Sequence, residues 1–486
     1  MAPTPASIAE CLARARRQVL SDVEREELNA ADDDDDDETP ILDPINPRNE
    51  AAALSLLYAP RRDAASSQQQ RRRDGDDELD ALAASYVRRT GGPAPAEEEE
   101  NSVTADEEGV DEATAALAAW ALGEGASQSA AAPAVFSSSD GRGGRRSWRG
   151  LVATRDLAPG DVALSLPLSA PQPRALAITY ASCRASDFGR ALAALGLEDE
   201  PLALLFTMAD RHDRDSPHAP FWRALPAEWL GTPLGDGVRD RAIEHALGGT
   251  PLGARCAAAR KHLDDAFAAL APQIAALVRA YPQHLKAAWF SRASFSWAAE
   301  LWYAYAMQLA LPPTGARPGA DAAAAAAVPA LVPLASLANH SAWPHAVAYS
   351  DCARTRGEQR VRVFRPLRKG EELTISYGPL ANDELLLFYG FALEQNPFEG
   401  RAVRMAAAAA AADERGGVAA AAAAAAARRA AHEAALARVE RALAGSVAGD
   451  GWNERERAFF GQARVFLRGR VEAEAAAAAA EGGGGR

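Results

Sequence analysis

The chain has little cysteine for its 486 residues, and it has no clustered basic segment that could form a cationic face. Its cysteines are Cys11, Cys183, Cys256 and Cys352, and no pair approaches a C-x-x-C spacing. This argues against a disulfide framework and a structural zinc site, and it favours a reducing compartment. The formal net charge of -14 argues against nucleic acid as a partner, because phosphate binding needs clustered Lys and Arg.

Long runs of large apolar residues are also missing. The long apolar runs that do occur are mostly alanine, which is a weak membrane signal beside Leu, Ile and Phe. We therefore expect a soluble monomer with no membrane partner. Near the start, Arg14, Arg16 and Arg17 stand against one acid, Glu10, a pattern that fits either a transit segment or an ordinary frayed terminus.

The first part of the chain is acidic and poor in large apolar groups. Acidic tracts occupy residues 32–38 and 97–100, and such a composition cannot offset the entropy lost on folding. We predict a disordered acidic region over residues 1–111. From residue 112 onward, Leu117, Trp120 and Leu122 have helical spacing up to the breaker Gly123, which predicts a short helix at the start of the folded body.

Short strand patterns occur in two places. Residues 148–154 and 162–166 flank an Ala-Pro-Gly-Asp turn at 158–161, which predicts a hairpin. Residues 361–365 and 372–376 flank a Gly-containing turn, which predicts a second hairpin.

Helical spacing dominates the middle and the end of the chain. It predicts a helical insert over about residues 170–330, including a helix over 295–311. Alanine tracts at 406–412 and 419–427 form helix readily but leave almost nothing to bury. Residues 401–486 are therefore predicted to be an Ala-rich helical C-terminal region.

Three blocks, in this order, carry the chemistry. Residues 149–157 read RGLVATRDL, residues 334–346 read LASLANHSAWPHA, and residues 370–391 read GEELTISYGPLANDELLLFYGF. Taken singly, each fits an ordinary turn or strand end. Together they resemble the SET-domain methyltransferases, in the branch typified by the Rubisco large-subunit lysine methyltransferase. The resemblance covers about residues 112–397.

The resemblance implies an α+β fold. It implies a β-rich SET core over residues 112–400, interrupted by the helical insert, with a C-terminal segment threaded through a loop. Residues 401–486 would be a reduced substrate-binding domain. The implied compartment is the chloroplast or the cytoplasm.

The resemblance also implies S-adenosylmethionine as the cofactor and a lysine of another protein as the methyl acceptor. The sulfonium is an activated methyl donor, so the reaction needs a neutral amine held in line with it and no metal. Tyr377 matches the catalytic tyrosine of the family, and Tyr389 and Phe391 match the aromatic walls of its lysine channel. The residues matched to cofactor binding are Gly150, Leu151, Asn339, His340 and Tyr377.

Three positions depart from the family pattern, and two alternatives to a lysine methyltransferase stay open. Ser336 stands where an acid is usual, and Ala338 stands where a branched apolar residue is usual. Residues 307–310 read Met-Gln-Leu-Ala, where the family carries a Ser-Arg pair whose arginine meets the cofactor carboxylate. The alternatives are a protein-histidine methyltransferase, an activity that occurs in this branch, and a non-catalytic SET-type protein-binding module.

Overall fold

The computed structural model describes most of the chain from residue 110 onward. Nearly all of the predicted acidic region 1–111 and the alanine tract 406–412 lie outside the described residues. The described ranges are 110–127, 130–139, 145–158, 161–167, 176–311, 326–341, 344–350, 358–363, 367–377, 380–394, 396, 398–399, 403, 417–445 and 451–483.

The strands are short and form small sheets. The pairings join β1 with β2, place β8 between β3 and β7, and place β6 between β4 and β5. The strands are β1 (Ala131–Ser139), β2 (Arg145–Ala153), β3 (Val162–Pro167), β4 (Ile178–Thr179), β5 (Ala306–Leu311), β6 (Ala326–Leu331), β7 (Ala346–Ser350) and β8 (Glu358–Val363).

Helices account for most of the remaining regular structure. A π-helical turn at Leu385–Tyr389 follows the short helical segment Asn382–Glu384. The longer helices are α1 (Glu112–Gly123), α2 (Tyr180–Ala185), α3 (Asp187–Ala194), α4 (Asp199–Asp210), α5 (Ala219–Ala224), α6 (Asp240–Leu247), α7 (Pro251–Ala280), α8 (Arg292–Tyr305), α9 (Gly417–Ala444) and α10 (Glu454–Gly483).

The chain divides into two compact units, each made of two segments. Unit 1 comprises Met1–Ile178 and Met307–Pro379, and unit 2 comprises Thr179–Ala306 and Leu380–Arg486. The predicted limits 112–400 and 401–486 stay a prediction.

Helix α1 confirms the short helix predicted before residue 123. Asp111 caps its N-terminus by accepting the N–H of Thr114 at 2.8 Å, which satisfies one of the donors that a helix start leaves without an intrahelical partner. Leu117 and Ala121 are buried. The helix ends at Gly123, as the breaker predicted.

The first predicted hairpin is wrong. Both of its arms are strands, but β2 pairs antiparallel with β1, while β3 pairs with β8. Alternation along a strand shows which face is buried and says nothing about the partner. The turn residue Asp161 is still bonded locally, because its N–H donates to Ala158 O at 3.0 Å.

The second predicted hairpin is also wrong. Strand β8 pairs with β3 and β7, whereas the described residues 367–377 form bridges to two other stretches. Leu367 pairs with Leu157, Glu372 pairs with Val152, and Ile375 pairs in parallel with His340. The predicted α+β fold class, with small sheets and many helices, is confirmed. The threaded passage stays a prediction.

Helices of unit 2 confirm a helical insert, but α8 ends earlier than predicted. The spacing predicted a helix to Leu311, whereas α8 ends at Tyr305 and Ala306 is already extended. The chain continues as β5, which pairs with β6. On α8, Trp297 and Trp302 are buried, and their indole N–H groups donate to Pro226 O at 2.8 Å and to Thr207 Oγ1 at 3.0 Å.

The two C-terminal helices pack on each other through larger side chains that interrupt the alanine. Val439 of α9 and Phe460 and Phe466 of α10 are buried. His432 Nδ1 lies 3.1 Å from Glu474 Oε2. Among the described helices, none is both long and apolar enough to span a bilayer.

Candidate functional site

The described segment 367–377 brings the three sequence blocks together in unit 1. On one side, Leu373 N–H donates to Leu151 O at 2.7 Å. On the other side, Ile375 N–H donates to Asn339 O at 2.9 Å, and Ser341 N–H donates to Ile375 O at 3.0 Å. Leu151 is buried. Blocks separated by about two hundred residues of chain therefore share one backbone ladder.

Gly150 lies where side chains from the other two blocks converge. A Cβ on this residue would stand 2.5 Å from Glu372 Oε1 and 2.9 Å from Asn339 Nδ2. Both separations are shorter than van der Waals contact, so only glycine allows this approach. The reason for glycine here is close packing rather than a turn.

The amide of Asn339 has both of its hydrogens engaged by the protein. Its Nδ2 donates to Arg149 O at 2.7 Å and to Glu372 Oε1 at 2.6 Å. A primary amide carries two donors and one oxygen acceptor. The side chain can therefore offer a ligand only the lone pairs of Oδ1.

Glu372 is the half-buried acid of this cluster, and it is missing from the predicted site residues. Trp148 Nε1 donates to both of its carboxyl oxygens, at 3.1 and 3.2 Å. Burial raises the pKa of the Glu372 carboxyl above its usual range, and the bonds from Asn339 and Trp148 oppose that rise. An acid inside a strand pattern next to the Ser-Tyr-Gly motif was the available signal.

His340 lies beside Tyr377 and is neutral at ordinary pH. Burial lowers the pKa of the imidazole to about 4. Its Nδ1 accepts the N–H of Tyr377 at 3.0 Å, so the neutral ring carries its proton on Nε2. In a parallel bridge the flanking residues supply the bonded groups. The backbone N–H and C=O of His340 therefore face away from Ile375.

The phenol of Tyr377 is anchored as a donor. Its hydroxyl donates to Ala338 O at 3.0 Å, and the ring centre lies 5.2 Å from that of His340. A hydroxyl has one hydrogen and two lone pairs. Because the hydrogen is engaged, the oxygen can act toward a ligand only as an acceptor.

Tyr389 and Phe391, the predicted channel residues, lie in unit 2. Their ring centres are 6.3 Å apart with an edge-on arrangement. Gly390 between them has a φ of 78°, in the left-handed region that favours glycine.

Two further predicted features concern charged and metal-binding groups. Residues 307–310, which carry no arginine, lie in β5 (Ala306–Leu311). His345 lies with Nδ1 3.1 Å from Thr374 Oγ1. The described residues contain no group of three His, Cys, Asp or Glu side chains arranged to hold a metal ion.

Residues 148–378 match the family model of the SET domain. Among solved structures, the chain resembles the SET domain of LSMT bound to lysine and AdoHcy, at 17% identity and a TM-score of 0.46, covering 75% of this chain and 91% of that one. It also resembles Rubisco LSMT bound to AdoMet, at 17% identity and a TM-score of 0.47, covering 76% and 91%. A search of curated proteins gives no match.

Proposed function

Because residues 148–378 of the chain form a SET domain, we propose that it is an S-adenosylmethionine-dependent protein-lysine N-methyltransferase. The acceptor is the side-chain amine of a lysine on another protein. The proposal is supported most by one feature of unit 1, the way in which polar side chains of the three blocks are anchored.

That feature is a set of two oxygen acceptors, one from the second sequence block and one from the third. Tyr377 Oη and Asn339 Oδ1 each belong to a group whose hydrogens are taken by protein acceptors. Both oxygens therefore suit a cationic ligand and not an anionic one. A donor molecule with a sulfonium and an ammonium has this charge pattern.

The residues present fit that cofactor. Asn339 Oδ1 would accept from its ammonium group, and the backbone edge of His340 would take the adenine. Gly150 lets the Asn339 and Glu372 side chains come close to its backbone. S-adenosylmethionine supplies a methyl group on a positively charged sulfur, which keeps the electron pair when the bond to carbon breaks.

Tyr377 is proposed as the catalytic residue. Its oxygen, held by the hydroxyl bond to Ala338 O, would accept C–H···O contacts from a polarised methyl and orient the incoming amine. The amine must be neutral to attack, so its pKa has to fall from the free value of about 10.4. Desolvation by aromatic walls, assigned to Tyr389 and Phe391 by their motif, lowers an amine pKa in this way.

A non-catalytic protein-binding SET module is the second candidate, favoured by β5. Residues 307–311 supply no arginine for the cofactor carboxylate. The loss of one charge-assisted bond costs about 1.5–3 kcal/mol, or roughly one to two decades of affinity. A methyltransferase that lacks this bond would bind its cofactor more weakly and still carry out the transfer.

The test is incorporation of labelled methyl from S-adenosylmethionine into a whole-cell protein extract. We expect label in the extract with the wild-type chain, and a fall of about 10²-fold with Tyr377→Phe, the scale seen when one transition-state contact is removed. Tyr281→Phe is the matched control, because Tyr281 is largely exposed and lies outside the proposed machinery.

Hydrolysis of the labelled protein identifies the acceptor. Methyllysine supports the proposal, whereas methylhistidine would assign the related histidine activity. No incorporation by the wild-type chain, under conditions in which the cofactor binds, would favour the non-catalytic module.

A further inference from the structure

A carboxyl group in unit 2 is buried without a cationic partner among the described residues. Glu300 on α8 has no exposed surface. The Thr232 hydroxyl donates to its Oε1, and the backbone N–H groups of Leu230, Thr232 and Gly235 lie close enough to favour its ionised form. The ligands of this carboxyl therefore come from one loop, residues 229–238.

The 229–238 loop is held from its other side as well. Arg260 of α7 donates to Pro233 O and Gly235 O, both at 2.9 Å. Trp229 Nε1 donates to Thr232 O at 2.8 Å. Arg260 thus binds carbonyls of the loop, while Glu300 accepts the hydroxyl of Thr232, so side chains of α7 and α8 both hold the loop.

The same loop packs on the backbone that carries the proposed channel aromatics. A Cβ on Gly390 would overlap Gly231 O and stand 3.0 Å from Thr232 N. Gly390 separates Tyr389 from Phe391. Glu300 therefore contacts the loop, and the loop in turn contacts the residue that lies between the two rings.

Helix α8 also touches this segment directly. Tyr303, one helical turn beyond Glu300, packs edge-on against Phe388 with ring centres 5.9 Å apart. The segment is also held beyond the two rings, where Ala392 N–H donates to Gln462 Oε1 at 2.9 Å. A shift of the loop would therefore change the packing at Gly390 while both ends of the segment stay held.

We propose that Glu300 is a positioning residue for the acceptor channel, because it holds the 229–238 loop against Gly390 and so sets the orientation of Tyr389 and Phe391. The inference rests on the proposed function for the role of the two rings. The hydroxyl that donates to Glu300 and the backbone N–H groups beside it all belong to this loop.

The test compares Glu300→Ala and Glu300→Gln with Val439→Ala, a control that removes buried volume on α9 without touching the loop. We expect Glu300→Ala to raise the KM for the protein substrate about tenfold while the kcat and the KM for S-adenosylmethionine change by less than about twofold. Glu300→Gln, which keeps one acceptor for Thr232, should fall between Glu300→Ala and the wild type. Equal KM values in Glu300→Ala and Val439→Ala would overturn the inference.

Hydrogen exchange provides a readout that does not need activity. Amides of residues 229–238 and 386–391 should lose protection in Glu300→Ala and keep it in Val439→Ala. Retained protection in Glu300→Ala would overturn the inference even if the enzyme is active. A wild-type chain that transfers no methyl would instead overturn the proposed function, while the exchange comparison would still decide whether Glu300 holds the loop.

Discussion

Glu372 shows how one half-buried acid can organise a site without contacting the ligand itself. Its carboxyl accepts from both Asn339 and Trp148, and each bond fixes a donor that would otherwise turn toward a ligand. Burial raises the pKa of this carboxyl, and the bonds from these two donors oppose that rise. We regard Glu372 as a positioning residue for Asn339.

Replacement of Glu372 by glutamine tests that role. Glutamine has one oxygen, so its NH₂ group would face the Nδ2 of Asn339 or the Nε1 of Trp148, both of which are donors. We expect the Kd for S-adenosylmethionine to rise about tenfold, which corresponds to about 1.4 kcal/mol. Isothermal titration calorimetry measures the change.

Glu371→Gln is the matched control for that experiment. Glu371 is the preceding residue, and its carboxyl accepts the exposed N–H of Arg368 at 2.7 Å. The control should bind the cofactor as the wild type does. If both variants bind alike, Glu372 does not position Asn339.

At the scale of elements, the sequence predicted strands and helices better than it predicted their partners. Helix α1 and the strand character of residues 148–154 and 361–363 follow from local periodicity. The partners of β2 and β8 do not, because pairing is decided by contacts between distant segments. Strand β1, rich in alanine and serine, carries weak strand propensity and was not predicted, so the strand that follows it was assigned the wrong partner.

The residues of the candidate site were also predicted only in part. Gly150, Asn339, His340 and Tyr377 were predicted from short motifs that the fold brings together. Glu372 was not, because its contacts with Trp148 and Asn339 span 224 and 33 residues of chain. The role of Glu372 depends on partners that only folding brings next to it.

Helix α8 and its loop should make stability depend on pH. Burial raises the pKa of Glu300 from 4.5 to about 7. Because the folded pKa is the higher one, the folded state binds the proton more tightly, and this group lowers the free energy of unfolding as pH rises from about 4.5 to 7. The span corresponds to at most about 3 kcal/mol.

Urea unfolding at pH 5 and pH 8 checks this expectation. Glu300→Gln cannot ionise, so its free energy of unfolding should fall less between the two values than that of the wild type. Other charged groups also lie at the loop: Arg260 donates to its carbonyls, Asp236 within it pairs with Arg292, and Arg455 lies over the Trp229 ring. The comparison with Glu300→Gln separates their contribution, because these groups are the same in both proteins. A difference between variant and wild type that is the same at both pH values would contradict the assignment.

For the whole molecule, the residues proposed to bind the cofactor all belong to one of the two units. Gly150, Leu151, Asn339, His340 and Tyr377 belong to unit 1, whereas α9 and α10 belong to unit 2. A ligand that binds only the folded form stabilises it by about 2.7 kcal/mol at a hundred times its Kd. Amides that exchange by opening of the binding unit should slow by a corresponding factor.

We therefore expect S-adenosylmethionine to slow hydrogen exchange at residues 149–153, 338–341 and 372–377. Amides of α9 and α10 should be nearly unaffected, because their local opening leaves the proposed cofactor groups intact. Asn339→Ala should abolish the effect, since it removes both the acceptor oxygen and the amide that joins Arg149 to Glu372. Protection confined to α9 and α10 would place the cofactor in unit 2 and would refute the site proposed for unit 1.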